Sequence, residues 1–279
     1  MTQADFNFIN TCQKILNEGT SDKGFFVRPK WPDGTPAHTI KLANVINEYD
    51  IAKEFPILTI RKVPLKSAID ELLWIWQKKS NKLEELNSHI WDAWDIGDGT
   101  IGYSYGAVLA KKHNYSEGTM DQVDRILWCL KNNPMDRRMI VDMFDQDMFT
   151  QTKLPPCCHH VNLVVTGDKL NMLLKQRSQD MGVANGWNVA QYAILLHMLA
   201  QVSNLKVGKL THVIADCHIY DRHIPLIQEL IANNASNDFK APTLKMNSAI
   251  NNFYDFKVDD FSLENYNFNS FNKKFEVAE

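Results

Sequence analysis

The 279-residue sequence predicts an α+β protein: a single domain over 1–279, with one large mixed β-sheet and helices packed on it. Three observations carry this expectation. Segments of helical apolar spacing are interspersed with segments of strand character, without a repeating βαβ rhythm. The strand signals concentrate after residue 138 and include a hairpin. No internal repeat, low-complexity run or Ser/Pro/Gly linker marks a boundary that would divide the chain.

Phe6, Ile9, Ile15 and Leu16 predict an opening helix that ends near Gly19. Gly24 to His38, rich in Pro, Gly and Lys, reads as a long loop. Ile69, Leu72, Leu73 and Trp76 lie at helical spacing in SAIDELLWIWQ and predict an amphipathic helix. Trp91 to Gly106, glycine-rich and aromatic, reads as irregular. Thr119 with Gln122 forms a capping box for a helix through Val123, Ile126, Leu127 and Leu130. Met139 to Phe144 is a strand, and Val161 to Val165 with Leu170 to Gln176 form a hairpin around Thr166-Gly167-Asp168. Asn188 to Val202 is apolar nearly all round, hence a central helix. In Thr211 to Tyr220, Val213, Ala215, Cys217 and Ile219 alternate with His212, Asp216, His218 and Tyr220, a strand with one polar face.

A composition of 44% hydrophobic and 23% charged residues is that of a globular protein, and a net charge of -3 provides no basic field for nucleic acid. The most apolar helix, Val189 to Val202, is too short and polar for a bilayer of roughly 30 Å. The start, MTQADFNFINTCQ, lacks the basic and apolar regions of a signal peptide. Five cysteines without CxxC spacing favour reduced thiols, so the expected location is cytoplasmic.

Cys157 follows Leu154-Pro155-Pro156 at a strand entrance. A thiolate nucleophile needs a nearby cation to lower its pKa from about 8.5. Arg177 ends the second hairpin strand, which returns beside the start of the first, so the topology brings it towards Cys157. Taken alone, a buried cysteine is more often inert packing. The run Cys157-Cys158-His159-His160 invites a zinc reading, but strand neighbours point to opposite faces, so no metal is expected. Either Arg137 and Arg138 are a solvated pair, or they join Arg177 and Ser178 around a phosphate dianion. His218 and Tyr220 share a strand face and read as a polar surface or as hydroxyl recognition. Asn188 is a helix N-cap or an amide matched to a base edge. Glu71 is a marginal polar residue or a buried acid of raised pKa.

In chain order, ELLW (Glu71–Trp74), IWDAW (Ile90–Trp94), Tyr105-Gly106, DRRMIV (Asp136–Val141), PPC (Pro155–Cys157), QRSQD (Gln176–Asp180), N-V-A-x-Y (Asn188–Tyr192) and HIY (His218–Tyr220) form a set that resembles the folate-dependent thymidylate synthase family. The resemblance runs from the first helix nearly to the C-terminus. It implies reductive methylation of dUMP to dTMP by 5,10-methylenetetrahydrofolate, which gives carbon and hydride and leaves as dihydrofolate, with no metal or flavin. It implies a homodimer packed through the sheet, with Arg137 and Arg138 reaching the neighbouring active site. Cys157 then adds to uracil C6. Arg177, Ser178 and Arg28 join the arginine pair on the phosphate, Asn188 reads the O4/N3 edge, and His218 and Tyr220 bind the ribose hydroxyl. Glu71 organises water for proton transfer, and Tyr105 assists removal of the C5 proton. Trp91, Trp94 and Asp180 line the folate site, over which the tail containing Ala278 closes. Cys158 stands where the family usually has histidine, and Asn162-Leu163 where it usually has Gln-Phe. A hydroxymethylase relative would favour aspartate at Asn188. Some relatives bind messenger RNA, a role that the negative charge and the lack of a basic aromatic stripe do not support here.

Overall fold

A computed structural model describes residues 1–279. Helix α1 (Gln3–Glu18) starts at Thr2, whose side chain accepts from the Asp5 N–H, and stops at Gly19. A Cβ on Gly19 would lie 2.3 Å from the Ile15 carbonyl, so only glycine fits this turn. The helix buries Ala4, Phe8, Ile9, Cys12 and Ile15. Phe6, expected on that face, points to solvent because the buried stripe runs through positions 4, 8, 12 and 15.

The strand β1 (Thr20–Ser21) leads through the loop to β2 (Thr39–Asp50). After α2 (Leu65–Trp76) comes an irregular stretch with 3₁₀ turns at Leu83–Glu85 and Asp92–Trp94, then α3 (Gly106–Leu109). A small ribbon, β3 (His113–Tyr115) with β4 (Gly118–Met120), precedes α4 (Gln122–Asn132) and β5 (Ile140–Asp142). The hairpin is β6 (Cys158–Thr166) and β7 (Lys169–Asp180), followed by α5 (Asn185–Val202) and β8 (Lys206–Tyr220). The chain closes with α6 (Ile224–Asn233) and a ribbon of β9 (Thr243–Met246) with β10 (Phe261–Glu264).

The main sheet runs β1-β2-β8-β7-β6-β5. Every pair is antiparallel except β7 with β8, which α5 joins as the crossover that parallel strands require. The α+β, mixed-sheet expectation therefore holds. Helix α5 is buried on all sides between the sheet and α2, as its continuous apolar character predicts. Helix α2 is more enclosed than expected: every residue from Ala68 to Trp76 is buried, Asp70 and Glu71 included. No helix is long and apolar enough to cross a membrane.

Three expectations shift. The cap of α4 is Asp121, which accepts from the Asp124 N–H, because β4 takes Thr119 into its ribbon. Helix α5 begins at Asn185 rather than Asn188, so Asn188 is no N-cap and its side chain is available for another role. His212 does not belong to an open polar face, since it is fully buried in the core. On β7 and β8 the buried face switches near Ser178 and Asp216. Before the switch Gln176, His212 and Ile214 are covered, and after it Gln179, Cys217 and Ile219 are.

Candidate active site

Cys157 stands one residue before β6, and its carbonyl accepts from the Arg177 N–H at 2.9 Å, so the ladder continues one step beyond the named strands. This pairing brings Arg177 Nη2 to 3.6 Å from Cys157 Sγ. The guanidinium is fixed there by donating to the carbonyls of Pro156 (3.0 Å) and Pro155 (2.8 Å). The two prolines have no N–H of their own to compete, and their carbonyls serve as the clamp. Burial raises the Cys157 thiol, while Arg177, Arg28 and the Tyr105 hydroxyl pull it back. Cys158 lacks this help: it is buried, pushed well above the ordinary thiol value by burial, and donates to Gln176 Oε1 at 3.2 Å. Of the adjacent pair, only Cys157 has a cation at its sulfur.

Tyr105 sits at φ 41°, an unusual backbone for a side chain of its size. That strain aims its hydroxyl at Cys157, whose N–H donates to Tyr105 Oη at 2.9 Å. Burial holds the phenol far above its ordinary pKa, so it stays protonated. Its ring meets Trp91 edge-on at 5.3 Å, and Trp91 meets Trp94 at 5.3 Å.

Glu71 projects from α2 into the same wall. Trp91 Nε1 donates to Oε1 (2.5 Å), while Trp187 Nε1 (2.6 Å) and Gln191 Nε2 (2.7 Å) donate to Oε2. Burial raises this carboxyl and the three donors oppose it, with burial prevailing. It is the buried acid of raised pKa rather than a marginal surface residue.

Asn188 Oδ1 accepts from Gln176 Nε2 at 3.3 Å, and the same Nε2 donates to the Ser178 carbonyl at 2.8 Å. Past Ser178, His218 and Tyr220 share a face with ring centroids 5.0 Å apart. His218 Nδ1 is 2.7 Å from Asp216 Oδ1, and His218 Nε2 is buried without a partner. Asp180 Oδ1 accepts from the N–H groups of Gly182 (2.7 Å) and Val183 (3.3 Å). The tail is docked nearby: Glu279 and Lys30 exchange both backbone hydrogen bonds, and His223 Nε2 lies 2.8 Å from the Glu276 carbonyl. Ala278 is therefore held against the Gly24 to His38 loop that carries Arg28.

The fold thus gathers Cys157, Arg177, Arg28, Tyr105, Glu71, Trp91 and Trp94 at one centre, with Asn188, Ser178, His218, Tyr220 and Asp180 following along β7, α5 and β8. Arg137 and Arg138 are not brought there; they are exposed on the turn before β5, where Arg138 pairs with Asp136. Sequence reasoning missed Gln176, Trp187 and Gln191 as partners of the site. Gln191 had a signal: it is a polar residue on an apolar helix, three positions from Asn188. Trp187 and Gln176 had none, because their roles depend on contacts across elements.

Comparison with known proteins shows the family and the fold. The thymidylate synthase family profile matches residues 6–279. A thymidylate synthase from Bacillus mojavensis is 44% identical over 283 residues, covering 100% of both chains. Thymidylate synthase 1 of Bacillus spizizenii is 44% identical over 271 residues, covering 95% of this chain and 96% of the relative. The solved structure of thermostable thymidylate synthase A from Bacillus subtilis superposes with a TM-score of 0.94 at 42% identity, covering 100% of each chain. Sequence and fold together are those of a methyltransferase of nucleotide biosynthesis. The chain belongs to the thymidylate synthase family.

Proposed function

We propose that this enzyme converts dUMP to dTMP through a covalent bond between Cys157 Sγ and uracil C6, with 5,10-methylenetetrahydrofolate as the source of both carbon and hydride. The observation that carries the reading is the Arg177 guanidinium 3.6 Å from a thiol at a strand entrance. A dianionic phosphate bound by Arg28, Arg177 and Ser178 needs further positive charge to be stable away from water. Arg137 and Arg138 of a second copy provide it.

The Cys157 thiolate adds to C6, and electron density moves through C5 to O4, where the Asn188 amide stabilises it as an oxyanion donor does. C5 then bonds to the methylene carbon of the folate. Water ordered by Glu71 takes the C5 proton, and the protonated Tyr105 hydroxyl assists as a hydrogen-bond partner. As the carbon–nitrogen bond to the folate breaks, an exocyclic methylene forms on the pyrimidine. A hydride from the folate reduces it, the Cys157–C6 bond breaks, and dTMP leaves with dihydrofolate. His218 Nε2, buried without a partner, suits a ribose hydroxyl. Trp91, Trp94 and Asp180 suit the folate ring, and the tail with Ala278 suits a cover over it. A cavity of about 410 Å³ lined by Arg61, Lys62 and Lys273 suits the carboxylates of its glutamyl end.

The homodimer reading rests on the uncovered sheet face. Ile46, Val164 and Leu173 are 62%, 46% and 37% exposed and share that face with Val213 and Ile140. These apolar side chains, interspersed with Asn162, Asn171, Lys175 and Thr211, make an open face that suits a protein partner. Five free thiols suit a reducing, cytoplasmic setting.

The test is a denatured digest after incubation with 5-fluorodeoxyuridylate and methylenetetrahydrofolate. The adduct is expected on the peptide containing Cys157. Cys157→Ser should abolish adduct and dihydrofolate production, while Cys158→Ser retains a measurable fraction of turnover. An adduct that survives Cys157→Ser would sink the mechanism.

A further inference from the structure

The turn between α4 and β5 carries a chain of alternating charges of which the reaction above uses only the outer end, Arg138. Arg125, on α4, has a side chain only 10% exposed; its Nη2 donates to Glu117 Oε1 at 3.3 Å and to Asp136 Oδ2 at 3.5 Å. Its Nη1 donates to the Arg138 carbonyl at 2.8 Å. The Asp136 carboxylate, 3% exposed, accepts three times from one residue: from the Arg138 N–H (2.9 Å), Nε (2.9 Å) and Nη2 (3.1 Å). Arg138 itself is 74% exposed. A buried carboxylate thus grips one edge of a solvent-facing guanidinium.

The ligand atoms of Glu117, Cys129 and Asp136 lie within 4.8 Å of one another, a spacing that would suit a metal ion. The Arg125 guanidinium already donates to both carboxylates, so the cluster holds its own cation. That cation matters to the turn. Without it, Asp136 would set a bare negative charge beside any phosphate approaching Arg138. With it, Asp136 fixes the guanidinium while its charge is offset from behind.

We propose that Asp136, neutralised by Arg125, is a positioning residue that presents Arg138 pre-oriented to the nucleotide phosphate in the neighbouring subunit's active site. This rests on the reading that Arg137 and Arg138 act across the dimer. A flexible arginine loses rotamer freedom when it binds, and one already clamped along its Nε edge loses less, so its remaining donors bind phosphate more tightly. Asp136 acts in cis on Arg138 and in trans on the substrate.

The experiment uses mixed dimers. Asp136→Asn homodimers should show a KM for dUMP raised by about tenfold, with kcat changed less and weaker competitive inhibition by inorganic phosphate. Arg125→Met should act in the same direction. Subunit exchange between Asp136→Asn and the inactive Cys157→Ser should restore the wild-type KM, because the intact Cys157 is then served by an Arg138 whose own Asp136 is native. A parallel exchange of Arg138→Ala with Cys157→Ser tests the underlying reading. If the Arg138→Ala mixture recovers and the Asp136→Asn mixture keeps its raised KM, the positioning role is overturned while the trans reading stands. If the Arg138→Ala mixture stays inactive, the trans reading falls and takes the proposal with it. Unchanged KM and phosphate inhibition in folded Asp136→Asn homodimers would also overturn it.

Discussion

The Asn188 amide has one orientation open to it. The Ser178 carbonyl can only accept, so the Gln176 atom 2.8 Å from it is the NH₂ group. That same nitrogen faces Asn188, which must then present its Oδ1. Gln176 Oε1 is left to accept from the Cys158 thiol and from His212 Nε2 at 2.8 Å. Asn188 therefore keeps its own NH₂ free, a donor that fits the O4 of uracil and opposes the amino group of cytosine. Asn188→Asp should lower kcat/KM for dUMP roughly 10- to 100-fold and raise relative use of dCMP. Unaltered nucleotide selectivity in a competition assay would remove Asn188 from base reading. The residue type was legible in the sequence; its orientation was not, because it is set by a carbonyl on another element.

Helix α4 shows how a cap and an ion cluster depend on one carboxylate. Asp121, almost fully buried, accepts from the Asp124 N–H at 2.9 Å and binds Lys79 and Lys112 through Oδ2 at 2.7 Å each. Burial would raise its pKa, but the Asp124 N–H and the two lysines prevail and hold it down to about 2. A depressed carboxylate stabilises the fold above its ordinary value of 3.8, and the stabilisation is lost as pH falls towards 2. Asp121→Ala should cost about 2–3 kcal/mol in urea unfolding at neutral pH, since it removes a cap and strands a largely buried Lys79. Asp121→Asn, which keeps the cap, should cost less; equal losses would assign the whole effect to charge. The helix itself was legible from its apolar spacing. The cap was misplaced at Thr119 because a competing S/T-x-x-Q pattern lies two residues earlier, and only the β3–β4 ribbon takes it out of play.

At the scale of the molecule, two histidines, His212 in the core and His197 partly covered, resist protonation and make stability depend on acid pH. Burial holds His212 down to about 3 and His197 to about 4, against an ordinary 6.5. Both fold neutral, so above about 6.5 neither adds a titration cost. As pH falls from there towards the folded values, the unfolded chain takes up protons that the native state refuses, and stability drops. Each such group contributes about 1.4 kcal/mol per pH unit across its window. His212→Phe should flatten the decline between pH 6 and 4 by about that slope, with Gln176 still satisfied by Cys158. A decline of unchanged steepness in chemical denaturation would exclude His212 as a source. The open sheet face makes the other prediction: Leu173→Lys should shift sedimentation towards monomer and abolish turnover, because a site without its neighbour's arginines lacks phosphate charge. A fully active monomer would contradict the shared site.

The local patterns carried a good deal without any coordinates. Apolar periodicity marked α1, α2 and α4, continuous apolar character marked α5, the Thr166-Gly167-Asp168 turn marked the hairpin, and alternation marked β8, because core-facing positions repeat every 3.6 or 2 residues along half-buried elements. The spacing of Cys157 and Arg177 on that hairpin was likewise readable, since antiparallel strands return on themselves. What could not be read there was everything that depends on one element meeting another. His212 became core and His218 cleft on a single strand, as the buried face switches along β8. Glu71 acquired Trp91, Trp187 and Gln191 as donors from two distant segments. Periodicity reports which side of an element faces inward, whereas hydrogen-bond partners and desolvation are properties of packed neighbours, and those exist only once the chain has closed on itself.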